Sequence, residues 1–165
     1  MNYKIDIESS NYFRQKDIID VACYRLPTNV LKLIDKYNCK IEIVSNLSCS
    51  YASSKCAGLY SPQEKIIQIR HDTNHLEDVF YHEVGHMFDY LALFNKDVLI
   101  SSYGFFEHIY NKEYMDFKCT GYNHCAGNTK EYFAQAFAEF MLNPSRLKKN
   151  TPYTYKFIKA CIEYF

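Results

Sequence analysis

Between positions 76 and 94 the apolar residues Leu76, Phe80, Val84, Met87, Leu91 and Phe94 recur at spacings of four, four, three, four and three. That period predicts a helix with a core-facing stripe, and it commits the fold to burying one long side of this segment. On the border of the stripe lies His82-Glu83-Val84-Gly85-His86, a His-Glu-x-x-His pattern. Residues four apart on a helix sit nearly one above the other, so the two imidazoles project over one face.

Two imidazoles are half of a zinc site. A metal held by them and one further protein ligand keeps a position open for water, and Glu83 lies where a carboxylate could take that water's proton. Hydrolysis is the chemistry this predicts, against the plainer alternative of a helix carrying two solvated histidines. Asn74 with Glu77 three residues later predicts an N-cap and reciprocal capping carboxylate, with the helix running to about Phe94. Gly85 is costly inside such a helix, about 1 kcal/mol relative to alanine, which implies that something packs close to it.

The 165 residues, 48% hydrophobic and 17% aromatic, suffice for one substantial core, so a single domain spanning 1–165 is expected. Formal net charge is zero and no lysine or arginine cluster suited to phosphates occurs, which argues against a nucleic-acid partner. There is no apolar run of membrane-spanning length, and the first eight residues lack the basic and apolar regions of a signal peptide. As given, the chain reads as a soluble monomer, cytoplasmic or released by a route that needs no signal. Seven cysteines without close paired spacing point to reduced, buried thiols. A four-thiolate site from Cys49, Cys56, Cys119 and Cys125 is the alternative, but its spacings of seven and six exceed the usual zinc knuckle.

Along the chain, the first ten residues are a strand or a tail, Tyr12 to Tyr24 carries a weak helical pattern, and Pro27-Thr28-Asn29 opens a second helix reaching Tyr37. Lys40 to Val44 alternates like a strand. Gly58-Leu59-Tyr60 and Lys65 to Arg70, joined by Ser61-Pro62-Gln63-Glu64, predict a hairpin immediately before the histidine helix. If one of its strands is a sheet edge beside the metal, an extended peptide can add to it, with Gly58, Leu59 and Tyr60 as the binding residues; an ordinary solvated edge is the alternative. Ser101 to Phe117 is aromatic and helical, and Lys118 to Asn128 is a loop. Asn128 then caps a helix over Thr129–Leu142, ended by Asn143-Pro144, and a last amphipathic helix covers Tyr153 to Tyr164. The sum is an α+β, zincin-like class, predominantly helical, with a small mixed sheet.

A third ligand is sought among carboxylates beside a core stripe. Phe133, Phe137, Phe140 and Met141 form such a stripe, with Glu131 on its border next to Ala134 and Ala138, small residues that permit close helix approach. A desolvated carboxylate there calls for a cation. Two alternatives stay open: Glu131 serves the Asn128 cap instead, or Glu139, about 80° round the helix toward its polar side, is the ligand.

These motifs, together with Glu131-Tyr132-Phe133-Ala134-Gln135-Ala136-Phe137, Arg146-Leu147-Lys148 and Thr154 to Ile158, resemble in order and separation the catalytic domain of anthrax toxin lethal factor and the secreted Pro-Pro endopeptidases. The resemblance covers about 38–162 and leaves 1–37 as N-terminal helices or tail. It implies a gluzincin-type zinc metalloendopeptidase with His82, His86 and Glu131 as ligands, Glu83 as general base, and a protein or peptide as substrate. A tyrosine shortly before the third ligand supports the oxyanion in that family. Here Tyr122 precedes Glu131 by nine residues, about two more than expected, while His124 stands at the expected separation. Gln135 replaces the family's usual second glutamate, so the metal site carries less charge. The delivery and docking parts of a lethal factor are absent, and toxin activity does not follow from the resemblance. Two other readings compete: a noncatalytic, zinc-stabilised interaction module using the 16 tyrosines, and an intracellular regulatory protease that cuts one dedicated partner.

Overall fold

The computed structural model describes residues 4–48, 56–96, 98–117 and 127–165. Strand β1 (Ile5–Ile7) is followed by helices α1 (Phe13–Tyr24) and α2 (Thr28–Lys36), strand β2 (Lys40–Val44), and the hairpin of β3 (Gly58–Ser61) and β4 (Ile66–Arg70). Then come α3 (Leu76–Leu91), α4 (Gly104–Glu113), α5 (Thr129–Leu142), α6 (Pro144–Asn150) and α7 (Pro152–Tyr164), with single 3-10 turns at 10–12, 94–96, 100–102 and 114–116.

The four strands form one sheet in the order β1-β2-β4-β3. The first three are mutually parallel, pairing Ile5 with Ile41 and Ile41 with Ile67, and β3 closes the edge antiparallel to β4, with Tyr60 opposite Ile67. Ile41, Ile43, Ile67 and Ile69 are fully buried, as the alternation of the strands requires when one face is covered by helices. The connection between β3 and β4 needs one left-handed residue, and Lys65 takes it at φ 56°.

Helix α3 is the centre of the molecule, packed against β3 and β4 on one side and α5 on the other, with α1 and α2 beside it. Phe80, Val84, Met87 and Leu91 of its stripe are buried, but so are Tyr81 and Phe88 on other faces. At the crossing with α5, a Cβ on Gly85 would lie 2.8 Å from the Ala134 Cα and 2.9 Å from its carbonyl oxygen. The two backbones therefore touch where both side chains are smallest.

Several sequence expectations require correction. His75, not Asn74, is the N-cap of α3, and no side chain caps it. The Glu77 carboxylate instead meets Arg25 at 3.1 Å. The helix ends at Leu91, and Phe94 begins a 3-10 turn. Ser101 to Phe117 is a ten-residue helix flanked by 3-10 turns rather than one helix. Pro144 stops α5 but also opens α6 at its first turn, where its missing N–H costs nothing. Asn128 caps α5 as expected, its side chain accepting the Glu131 N–H at 3.0 Å.

Candidate metal and active site

A cleft of about 800 Å³ opens between the sheet edge and the α3–α5 pair. Its floor is the polar face of α3, where His82 and His86 follow one another by one helical turn with their Nε2 atoms 3.1 Å apart. From α5, Glu131 brings Oε2 to 3.2 Å from His82 Nε2 and Oε1 to 3.5 Å from His86 Nε2. Asn128 uses its side chain to cap the helix, so the Glu131 backbone serves the cap while its carboxylate is free to face the imidazoles. Of the two roles weighed for the Glu131 side chain, the cap contact seen here is made by its backbone N–H instead, and the carboxylate faces the two imidazoles.

The donor set fits a metal ion. Tetrahedral zinc with bonds of about 2.0–2.2 Å separates its ligand atoms by about 3.3–3.6 Å, close to the spacings of this triangle. Two Nε2 atoms and a carboxylate turned toward one point are held together by a shared proton or by a metal ion between them. The hydrogen bonds from His82 and then His86 hold the Glu131 carboxyl far below the usual range. Burial opposes the charged form of His82, yet the Glu131 hydrogen bond and the charges of Glu83 and Glu131 prevail and raise its pKa. Among the described residues, His82, His86 and Glu131 form the one group of three or more such side chains able to hold a metal.

Glu83 is buried, with 6% of its surface exposed. Burial raises its pKa most; the two imidazoles act in the opposite direction, as does the Tyr60 backbone N–H that faces its carboxylate. Gly58 explains how it fits. A Cβ there would come within 2.8 Å of Glu83 Cγ and Oε1 and 2.7 Å of Val79 Cγ1, so β3 passes over the carboxylate only because position 58 has no side chain. Gly58, Leu59 and Tyr60 all line the cleft, and β3 is the outer strand of the sheet.

Another part of the lining is apolar, with Tyr90, Phe94, Val98 and Leu99, and it adjoins β3, where Tyr90 meets the Tyr60 ring. Asp89 pins it: its two oxygens accept the Ser101 N–H at 2.7 Å and hydroxyl at 2.6 Å, tying the 3-10 turn at 100–102 to α3. Behind His82, Gln135 Oε1 lies 3.1 Å from His82 Nδ1, and Gln135 Nε2 donates to Asp78 Oδ1 at 3.2 Å. Asp78 was not a sequence candidate. Its position one helical turn before His82 is the signal that could have found it.

Glu139, the alternative third ligand, lies elsewhere. It is 1% exposed, not on a polar face, and takes both Arg146 Nε and Nη2 at 2.6 Å. Tyr122 and His124 lie outside the described residues, as do Cys49, Cys119 and Cys125 of the four-thiolate alternative; Cys56 lines the cleft.

A family model described as anthrax toxin lethal factor, N- and C-terminal domain, matches residues 54–161, which include both hairpin strands, both histidines, Glu131 and most of α7. The chain belongs to the anthrax lethal factor family. Within solved structures, the lethal factor-like chain is similar to the Pro-Pro endopeptidase PPEP-2 from Paenibacillus alvei. That likeness has a TM-score of 0.70 at 19% identity and covers 94% of this chain and 96% of the other, so the zincin-like α+β fold is shared almost end to end. No curated protein matches the chain in sequence. None of the described helices is long and apolar enough to cross a membrane.

Proposed function

We propose that this chain is a zinc metalloendopeptidase that hydrolyses a peptide bond in a protein or peptide laid as an extended strand along β3. The observation that carries the reading is the convergence of His82, His86 and Glu131 within a 3.1–3.5 Å triangle, with a buried carboxylate, Glu83, between that triangle and an edge strand. Two imidazoles and a carboxylate are a donor set suited to catalytic zinc, and three protein ligands leave one position open. Bound there, zinc supplies a Lewis acid for the scissile carbonyl and lowers the pKa of water.

The chain's own residues do the rest. Glu83 accepts the proton of the attacking water and passes it to the leaving amine. The backbone of β3 fixes the substrate as an additional strand, which sets the scissile carbonyl beside Glu83 because Gly58 lets strand and base approach. The apolar wall of Tyr90, Phe94, Val98 and Leu99 excludes water and takes apolar side chains of the peptide. Membership of the lethal factor family and the fold shared with a Pro-Pro endopeptidase support peptide-bond chemistry.

Metal analysis of purified variants tests the site. Wild-type protein should bind one zinc, Glu131→Gln should lose it, and Glu83→Gln should retain it. Full zinc content in Glu131→Gln would remove that residue from the ligand set.

A further inference from the structure

We propose that Asp78 is a positioning residue of the metal centre: through Gln135 it dictates which ring nitrogen His82 turns to the metal. The inference rests on the metal-site reading above. Asp78, Gln135 and His82 form one chain of hydrogen bonds, His82 Nδ1 to Gln135 Oε1 at 3.1 Å and Gln135 Nε2 to Asp78 Oδ1 at 3.2 Å. Asp78 stands four residues before His82 on α3, and Gln135 four residues after Glu131 on α5, so each joins the chain one turn away from a ligand on its own helix. Gln135 is 2% exposed and Asp78 8%, which leaves little solvent to substitute for either partner.

The direction of the chain follows from donor and acceptor counting. The two ends of a glutamine amide have nearly the same shape, so sterics alone allow either to face His82. A carboxylate accepts only. Asp78 therefore takes the amide nitrogen and turns the amide oxygen to His82, which can answer it only with an Nδ1 proton. In the neutral imidazole that a metal requires, the lone pair is then on Nε2, the atom 3.2 Å from Glu131 and 3.1 Å from His86. Gln135 contributes no charge itself, and the negative charge behind the ligand is displaced by one hydrogen bond to Asp78. Polarised through the amide, it still supports the imidazole.

An acid in the first turn of α3 also favours the helix N-terminus, where Glu77 and Asp78 both sit. That role requires neither burial against α5 nor a bond to Gln135. The two roles separate in a swap of the amide and the carboxylate. In Asp78→Asn/Gln135→Glu the new carboxylate accepts directly from His82 Nδ1 and from the Asn amide, restoring a complete chain while leaving position 78 uncharged.

Zinc affinity, read by competition with a chromophoric chelator and independent of turnover, is the measurement. Asp78→Asn should bind zinc about 10- to 100-fold more weakly than wild type, and the swap should return to within about threefold of wild type or tighter. Unchanged affinity in Asp78→Asn would overturn the relay alone. So would a folded swap that stays as weak as Asp78→Asn. If the swap fails to fold, the His82 Nδ1 proton in zinc-loaded Asp78→Asn decides: fast exchange with solvent supports the relay, and wild-type protection overturns it. A wild-type chain that binds no zinc would overturn the metal-site reading and the relay together.

Discussion

Tyr60 sits at the meeting point of β3, Glu83 and the core, and its parts serve different ends. The backbone faces Glu83 and lines the cleft, while the side chain is 7% exposed and stacks edgewise on Tyr90 with ring centroids 6.4 Å apart. Its hydroxyl is buried without a hydrogen-bond partner among the described residues, and burial pushes the phenol pKa up. An orphaned buried hydroxyl costs about 1–3 kcal/mol, so Tyr60→Phe should raise the free energy of unfolding by about 1 kcal/mol in urea titration; a loss of stability would mean that the hydroxyl has a partner. At the same scale, negative charge grows on the carbonyl oxygen when water attacks, and a phenol from Tyr122 is the proposed donor to it. Tyr122→Phe should then lower kcat by about 100-fold with little change in KM, and His124→Ala should stay near wild type. The reverse pattern would transfer the role to His124. Position 58 shows what a residue pattern can and cannot say. Gly58 was legible as part of a strand, but its reason, a carboxylate from a helix 25 residues on packed where a Cβ would be, is a tertiary contact that no local pattern encodes.

Helix α3 was legible as an element because its stripe repeats at the helical period, and α5 because Asn128 announces its start. Both are buried well beyond the stripe: Tyr81 and Phe88 on α3, and Tyr132, Gln135 and Glu139 on α5, are covered because each helix has neighbours on several sides. A one-sided pattern underestimates a central helix for that reason, and it placed Glu139 on a polar face that is in fact closed by Arg146. Helix ends were less legible. Helix α7 is capped from a distance by Glu113, which accepts the Tyr153 and Thr154 N–H groups at 2.9 and 2.8 Å from the end of α4. No reading of the local sequence could supply that cap. Gly85, by contrast, declared itself: its cost in a helix implied a close neighbour, and Ala134 is that neighbour. Gly85→Ala should therefore lower stability by about 1–3 kcal/mol, although alanine is the better helix former. Thermal unfolding checks this, and an unchanged or raised midpoint would show that the two helices can separate without cost.

Across the whole molecule, one sheet edge and two helices assemble the site from residues 58 to 135, while β1, β2 and the helices around them hold that frame. Strand order was not legible, because pairing β2 with β4 rather than β3 joins segments whose contact is set by the shared burial of Ile41, Ile43, Ile67 and Ile69. The grouping of His82, His86 and Glu131 was legible because helical spacing puts the two imidazoles on one face and because Glu131 borders a buried stripe. Peptide-bond cleavage by these groups is the proposed reaction. It is tested most directly by incubating zinc-loaded protein with a peptide library and reading the products by mass spectrometry, beside Glu83→Gln. Wild type should cleave at discrete sites, and Glu83→Gln, with zinc content and fold intact, should be at least about 100-fold slower. Equal cleavage by both proteins, or none by a fully zinc-loaded wild type across the library, would contradict the proposed reaction.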